Sequence, residues 1–237
     1  MALHVIEGPY WRDILDQPRA LEETHRRLEV PAGLADVARR LRDGEFARVV
    51  LTGMGSSHFG LAPLHLRLVE AGHSPVTVES SELLHYQKRL LAAGTLLVIA
   101  SQSGRSAEIV RILEAVRGPD VVTVGITNTA ASPLAREATA NLLTHAGEEA
   151  TVSCKTYLAA QMALAFLGEV LAGSDPGATR EALWPYEQAF RRIFRKYALA
   201  TRAVLLIAAR PRLRRRVVRW LGWSPRAFDA LLTRALL

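Results

Sequence analysis

Arg48-Val49-Val50-Leu51-Thr52-Gly53, continuing into Met54-Gly55-Ser56-Ser57, and Thr95-Leu96-Leu97-Val98-Ile99-Ala100, continuing into Ser101-Gln102-Ser103-Gly104-Arg105-Ser106, are the stretches whose reading decides the fold. Each is a short, almost wholly apolar run that stops at glycine and serine, the pattern of a strand buried on both faces. Similar runs occupy residues 75–79, 121–126 and 141–144. Helical patterns fall between them at residues 59–71, 106–116 and 133–138, with a shorter piece over 81–90. This alternation predicts an α/β fold, a three-layer αβα sandwich around a five-stranded parallel sheet.

Outward from that centre, residues 13–30 and 31–43 read as two helices, the second with Leu34, Val37, Ala38 and Leu41 on one face. After the fifth strand comes a long helix over about 154–171, a Gly/Ser/Asp/Pro linker at 173–177 and a further helical stretch to residue 197. Ala203-Val204-Leu205-Leu206-Ile207-Ala208-Ala209 reads as one more strand. The expected organisation is an N-terminal helical segment (1–43), a central domain (44–172) and a helical extension with an Arg-rich tail (173–237).

At 237 residues, with 49% hydrophobic and 22% charged side chains, the chain can bury a sizeable core. The single cysteine, Cys154, allows no internal disulfide, and no Cys/His spacing suits a zinc site, so no metal is expected. Residues 1–10 lack the basic start and apolar run of an export signal. The apolar stretch 157–173 is interrupted by Gln161 and Glu169 and falls short of the roughly 20 residues needed to span a bilayer. A cytoplasmic protein without a membrane partner is the expectation. The net charge of +7 belongs to residues 198–237, where nine arginines face one acid, Asp229, while the remainder is close to neutral. The basic balance therefore describes a tail and argues against nucleic acid as a partner of the folded body.

In a doubly wound sheet ligands sit beyond the carboxyl ends of the strands, so the loops after the strands are the places to look for chemistry. The loops after the first and third strands both offer hydroxyls and backbone N–H groups at the start of a helix, where a negative charge is favoured. Helix capping alone explains either loop taken singly. Four serines and Gln102 in two adjacent loops, with Arg105 beside them, point instead to a phosphoryl group. Gly53-x-Gly55 lacks the third glycine of a dinucleotide fingerprint, although Glu79 lies near where a ribose-binding acid would be, and a nucleotide stays open. No Walker loop and no Gly-x-Ser-x-Gly elbow occurs.

These residues resemble the sugar isomerase (SIS) domain, most closely the first such domain in the isomerase half of glucosamine-6-phosphate synthase and its shorter relatives. Ile14-Leu15-Asp16-Gln17-Pro18 is similar to the family's entry segment, Gly55-Ser56-Ser57 to its Gly-Thr/Ser-Ser loop, and Ser101-Gln102-Ser103-Gly104 is its phosphate loop unchanged. Asn128 with Ser132 to Glu137 follows a further family segment. Ala146-Gly147-Glu148-Glu149 and Val152-Ser153-Cys154-Lys155-Thr156-Tyr157 are similar to the segment carrying its Ser-Thr-Lys motif. The resemblance covers about residues 12–172 and implies an SIS-type, flavodoxin-like sheet. It further implies that Ser57, Ser101, Gln102, Ser103 and Ser106 hold the phosphate of a phosphorylated sugar of the fructose-6-phosphate or glucosamine-6-phosphate type. Gly55, Ser56, Val152 and Ser153 would lie at the sugar. No cofactor is implied, and a homodimer is expected because family members pair domains or subunits across the site.

Three departures qualify the resemblance. Arg105-Ser106 stands where the family usually has Glu-Thr, which reverses a charge near the anion. Met1-Ala2 supplies no N-terminal cysteine nucleophile, so glutamine-dependent transfer is not expected of this chain alone. Where the glycine-rich turn of a second SIS domain would follow, Arg210-Pro211-Arg212-Leu213-Arg214-Arg215-Arg216 stands instead. Two readings of that end stay open: a remnant of a second domain read in a shifted frame of GC-rich coding sequence, or a native basic helix pair. Two functions stay open as well: a phosphosugar isomerase or aminosugar-phosphate isomerase/deaminase, and a phosphosugar-binding or regulatory module without turnover. An acid/base pair near the sugar would separate them, with Glu149 and His58 as candidates for the catalytic role and Glu79 and His85 beside them.

Overall fold

The structure is a computed structural model that describes residues 8–118, 120–150 and 152–182, residue 199, and residues 206–207 and 209–223. Two helices, α1 (Pro9–Arg27) and α2 (Leu34–Arg42), precede the sheet. The strands are β1 (Arg48–Gly53), β2 (Val76–Glu79), β3 (Thr95–Ala100), β4 (Val121–Thr127) and β5 (Ala140–Leu143), all parallel in the order β2-β1-β3-β4-β5. Helices α3 (Ser56–Phe59), α4 (Ala62–Glu70), α5 (Ser80–His85), α6 (Ala107–Ala115) and α7 (Pro133–Glu137) connect them, and α8 (Lys155–Ala172) follows β5. Residues 176–182 are helical (α9), and α10 (Pro211–Trp223) lies in the Arg-rich region.

The strands read as unbroken apolar runs because both faces of the sheet are covered. Val49, Leu51, Leu96, Val98, Ala100, Val124 and Ile126 pack on one side with α2, α4 and α8. The alternate residues Val50, Leu97 and Ile99 pack on the other with α5, α6 and Leu134 of α7. A period of two in side-chain direction with no polar face leaves nowhere for a charged residue along β3 or β4, and in β1 only for Arg48 at its edge. The three-layer αβα sandwich expected from the sequence is the observed fold.

Two differences in detail have local causes. The helix expected over 59–71 is two helices, α3 and α4. Gly60 lets the ring of Tyr157 on α8 approach to 3.4 Å of where a Cβ would be, and Pro63 at the first turn of α4 starts the helix anew. The helical piece over 81–90 ends at His85 and resumes as a 3-10 turn at Lys88–Leu91. At the C-terminal end one expectation is corrected: Leu206, Ile207 and Ala209 are helical, not part of a strand, while 203–205 and 208 lie outside the described residues. Ala and Leu favour the helix, and a short apolar run does not by itself distinguish the two states. The helical stretch expected to residue 197 is observed at 176–182, and 183–198 lie outside the described residues.

Phe166 of α8 is 1% exposed and sits among the residues that cover the sheet, whereas Leu66 of α4 is 62% exposed. Phe166→Ala is expected to destabilise the fold by about 3–5 kcal/mol, and Leu66→Ala by less than about 0.5 kcal/mol. Urea unfolding of the two variants beside the unsubstituted protein measures both.

Candidate functional site

The order β2-β1-β3 reverses direction at β1, so the connections leaving β1 and β3 part to opposite faces and open a crevice between them. Gly53 is paired in register with Ala100, so the two strands end level and their loops start side by side. Gly53 carries no side chain for a steric reason. A Cβ there would stand 2.9 Å from the backbone of Ser57 and His58 and 3.0 Å from the Ala100 carbonyl. The loop therefore folds directly over the strand end, through Gly55 at φ 51, into the single turn of α3.

The loop after β3 is tied to β4. The Ser101 N–H donates to the Ile126 carbonyl at 3.0 Å, and the Gln102 carbonyl accepts from the Asn128 N–H at 3.0 Å and the Thr127 hydroxyl at 3.1 Å. Gly104, at φ +60, donates its N–H to Ser101 Oγ at 3.1 Å, and its carbonyl accepts from the Leu134 N–H at 3.2 Å. A Cβ at Gly104 would lie 2.4 Å from Ser132 Oγ, so only glycine fits. Ser106 is the N-cap residue of α6, yet its hydroxyl makes no capping bond, and Ser106 Oγ is a buried atom without a partner among the described residues. A buried hydroxyl left unpaired is uncommon and asks for a ligand or solvent partner.

Between these loops and α8 lies a cleft with about 360 Å³ of open space. Ser57 and Gly60 form one side, Ser101 and Gln102 a second, and Thr127, Asn128, Thr144, Ser153, Thr156 and Tyr157 add further polar groups over an apolar floor that includes Ile126 and Leu164. The structure thus brings Ser57, Ser101, Gln102 and Ser153 together. Gly55, Ser56, Ser103, Ser106 and Val152 do not line this cleft; Gly55 and Ser56 are exposed beside it and Val152 is 59% exposed. Among the described residues that line the cleft there is no carboxylate, imidazole, amine or guanidinium.

The four acid/base candidates take different places. Glu149 caps α8, its carboxylate accepting from the Cys154 N–H (2.8 Å), the Thr156 N–H (3.2 Å) and the Thr156 hydroxyl. Glu79, at the end of β2, accepts from the Gly55 N–H at 3.5 Å. His58 stacks edge-on with Phe59, with Nδ1 buried and unpartnered among the described residues, and His85 is exposed. Burial, with Glu149 close by, pushes the Cys154 thiol up to about 11, so it is no nucleophile at neutral pH.

Reading the chain residue by residue misses the groups that hold the cleft's far wall. Asn128 bonds three ways, Oδ1 accepting from the Thr144 hydroxyl (2.9 Å) and the Ala146 N–H (2.8 Å) and Nδ2 donating to the Gly147 carbonyl (2.7 Å). Lys155, 5% exposed, places Nζ 3.0 Å from both Asp13 Oδ1 and Asp16 Oδ2 of α1. The sequence places Asp16, Asn128 and Lys155 in segments that resemble the family and Asp13 and Asp16 at i and i+3 on one helix face, but it does not show the contacts among them.

The N–H of Ala150 and then Lys155 hold the Asp13 carboxyl below its usual 3.8, and Arg19 and then Lys155 do the same for Asp16. Burial works against the Lys155 ammonium, but the two aspartates outweigh it and raise its pKa. Carboxyls with lowered folded values bind fewer protons than the unfolded chain does as the solution is acidified, so their contribution is complete above 3.8 and is lost as pH falls through the folded values. Thermal unfolding across pH is therefore expected to show a decline below about pH 4 that is shallower in Asp13→Asn.

Comparison with known proteins follows this geometry. The family profile described as the SIS domain matches residues 45–168. The chain is 30% identical over 182 residues to the glutamine–fructose-6-phosphate aminotransferase (isomerizing) of Streptococcus pneumoniae, covering 73% of this chain and 30% of that protein. It is 29% identical over 163 residues to the enzyme of the same name from Pyrococcus horikoshii, covering 68% and 26%. The chain thus spans between a quarter and a third of these curated relatives. Among solved structures, the C-terminal domain of glucosamine-fructose-6-phosphate aminotransferase from Francisella tularensis superposes with a TM-score of 0.63 at 22% identity, over 82% of this chain and 56% of that one. Among the described residues no helix is long and apolar enough to cross a membrane, and no cluster of His, Cys, Asp and Glu suits a metal ion. Since the profile takes in more than half of the residues, and its Ser-Gln-Ser-Gly loop stands where the sheet order reverses, the chain belongs to the SIS domain family.

Proposed function

We propose that the cleft between the β1 and β3 loops binds a phosphorylated sugar, with the phosphate at the loops and the sugar toward α8. The observation that carries this reading is the convergence of two serine-rich loops at the β1/β3 reversal, next to the unpaired buried hydroxyl of Ser106. Hydroxyls and amides in a partly enclosed site replace the water around a dianion without placing a fixed countercharge there. Ser57, Ser101, Gln102, Ser103 and Ser106 are the proposed phosphate ligands, and the start of α6 adds its unpaired N–H groups. Gly55, Ser56, Val152 and Ser153 are proposed for the sugar. Residues 44–172 form the binding unit in this reading, with 1–43 and 173–237 as extensions. A second copy of the chain is the proposed partner across the open side. The relatives' names, aminotransferases that isomerise fructose-6-phosphate, support a hexose phosphate as the ligand class.

Moving a proton between two sugar carbons needs a group that titrates near neutrality within reach of them. Glu149 already receives three hydrogen bonds from the start of α8, which assigns it to holding that segment. His58, with Nδ1 unpartnered among the described residues, is the remaining candidate of this chain for a catalytic role. The engagement of Glu149 at the start of α8 also fits the second reading, a module that binds a phosphosugar without turning it over.

Thermal denaturation with fructose-6-phosphate, glucosamine-6-phosphate, their galacto counterparts and inorganic phosphate tests the binding. At a hundredfold excess over Kd the bound ligand is expected to add about 2.7 kcal/mol, a rise of roughly 5–10 °C for a chain of this size. The response is expected to vanish in Ser101→Ala/Ser103→Ala; a response to none of the sugar phosphates removes the proposal. Gly104→Ala is expected to lower the melting temperature and abolish the response together, because its Cβ displaces Ser132 and the loop. Incubation of the stabilising ligand with the protein in heavy water then separates the two functions: deuterium at the sugar's C2 marks an isomerase, and binding without exchange marks a module.

A further inference from the structure

We infer that Asp13 of α1 and Lys155 of α8 are positioning residues that set the sugar end of the cleft, so that the N-terminal helix is part of the site although the family profile begins only at residue 45. The inference rests on the phosphosugar reading above and assigns it a selectivity device.

Lys155 occupies a position that is costly for a charge by itself. Lys155 is the first residue of α8, where the helix dipole is positive, and it is 5% exposed. An ammonium there, stripped of water, is tolerated only with anions in contact, and Asp13 and Asp16 supply them at 3.0 Å each. Such an ion pair adds little net stability over an apolar pair of the same volume, but it fixes the two groups in one geometry.

The geometry it fixes is that of the cleft wall. Asp13, 6% exposed, uses Oδ1 for Lys155 and Oδ2 to accept the Ala150 N–H at 2.8 Å. One carboxylate therefore clamps both ends of the segment from Ala150 to Lys155. From inside the same turn Glu149 takes the N–H groups of Cys154 and Thr156. Ser153, Thr156 and Tyr157 are the members of this segment and the first turn of α8 that line the cleft, and the Ser153 and Thr156 hydroxyls lie 3.2 Å apart. These two hydroxyls bond to each other, and that of Thr156 to Glu149, within a segment that Asp13 of α1 ties at Ala150 and Lys155. The loop 101–104, in contrast, is bonded to β4 and α7 and shares no hydrogen bond with α1 or with Lys155 among those observed. The phosphate end and the sugar end thus have separate supports.

Loss of the clamp is therefore expected to weaken the sugar phosphate and spare inorganic phosphate. Because Lys155→Met alone leaves two carboxylates without their cation, the test uses Asp13→Asn/Lys155→Met in the full chain, with Asp13→Glu as the variant that keeps the carboxylate. Affinity for the stabilising sugar phosphate is expected to fall about tenfold in the double variant. Affinity for inorganic phosphate is expected to stay within about twofold, and Asp13→Glu to recover most of the loss. Hydrogen exchange without ligand is expected to quicken at the amides of Ala150, Cys154 and Thr156 and to be unchanged at Gly104 and Asn128. Equal loss of both ligands, or no loss of either, overturns the inference while leaving phosphosugar binding in place. An unsubstituted protein that responds to no sugar phosphate removes the binding reading and this inference with it.

Discussion

The register that sets Gly53 beside Ala100 is the constraint on which the rest of the molecule depends. Two parallel strands that end level, with connections leaving to opposite faces, produce a crevice whatever the side chains are. The loops become useful because they are short and locked. Gly53 lets the first fold over its own strand within contact distance of Ala100, and Gly104 lets the second turn back onto the start of α7. A side chain at either glycine would lift the loop off the sheet and separate the hydroxyls that the register brings together.

Electrostatics then divides the cleft into two ends. Three helices begin near it, and they are not equivalent. The start of α8 is occupied by the chain's own Glu149 carboxylate, and its first residue is a lysine bound to α1. That N-terminus has no capacity left for a free anion. The start of α6 has an N-cap serine whose hydroxyl makes no capping bond, and α3 is a single turn with little dipole of its own. In the proposed reading a negatively charged ligand sits at the β1 and β3 loops, and the hydroxyls of the wall near α8 face its sugar.

Most other charge pairs are peripheral to this. Arg39 contacts Asp36, Asp43 and Glu45, but each partner is more than 40% exposed, and pairs of that kind contribute little in water. Arg67 with Glu169 is more enclosed; together with Gly168, which lets the Arg67 stem lie against α8, it holds α4 on α8 and so supports the wall that carries Gly60 and Tyr157. The arginines at 210, 212, 214, 215 and 216 are all exposed in or beside α10 and contribute to the chain's positive charge without lining the cleft.

The sheet, its five strands and both serine-rich loops were legible in the sequence, because burial on two faces imposes apolar runs and sharp turns impose glycine, and both leave local marks. The split of residues 59–71 into two helices and the helical state of residues 206, 207 and 209 were not, since a short apolar pattern serves helix and strand alike and local propensity yields to what packs against it. The candidate site was legible only in part. Ser57, Ser101, Gln102 and Ser153 meet in the cleft, but the roles of Asn128, Glu149 and the Asp13–Lys155 pair rest on contacts between residues far apart in the chain. The sequence alone determined which backbone shapes were possible, because chain stiffness and side-chain burial act over a few residues. Only the tertiary structure decided which polar groups are spent on holding the protein together and which remain for a ligand, because a hydrogen bond is consumed by whichever partner folding brings within 3 Å.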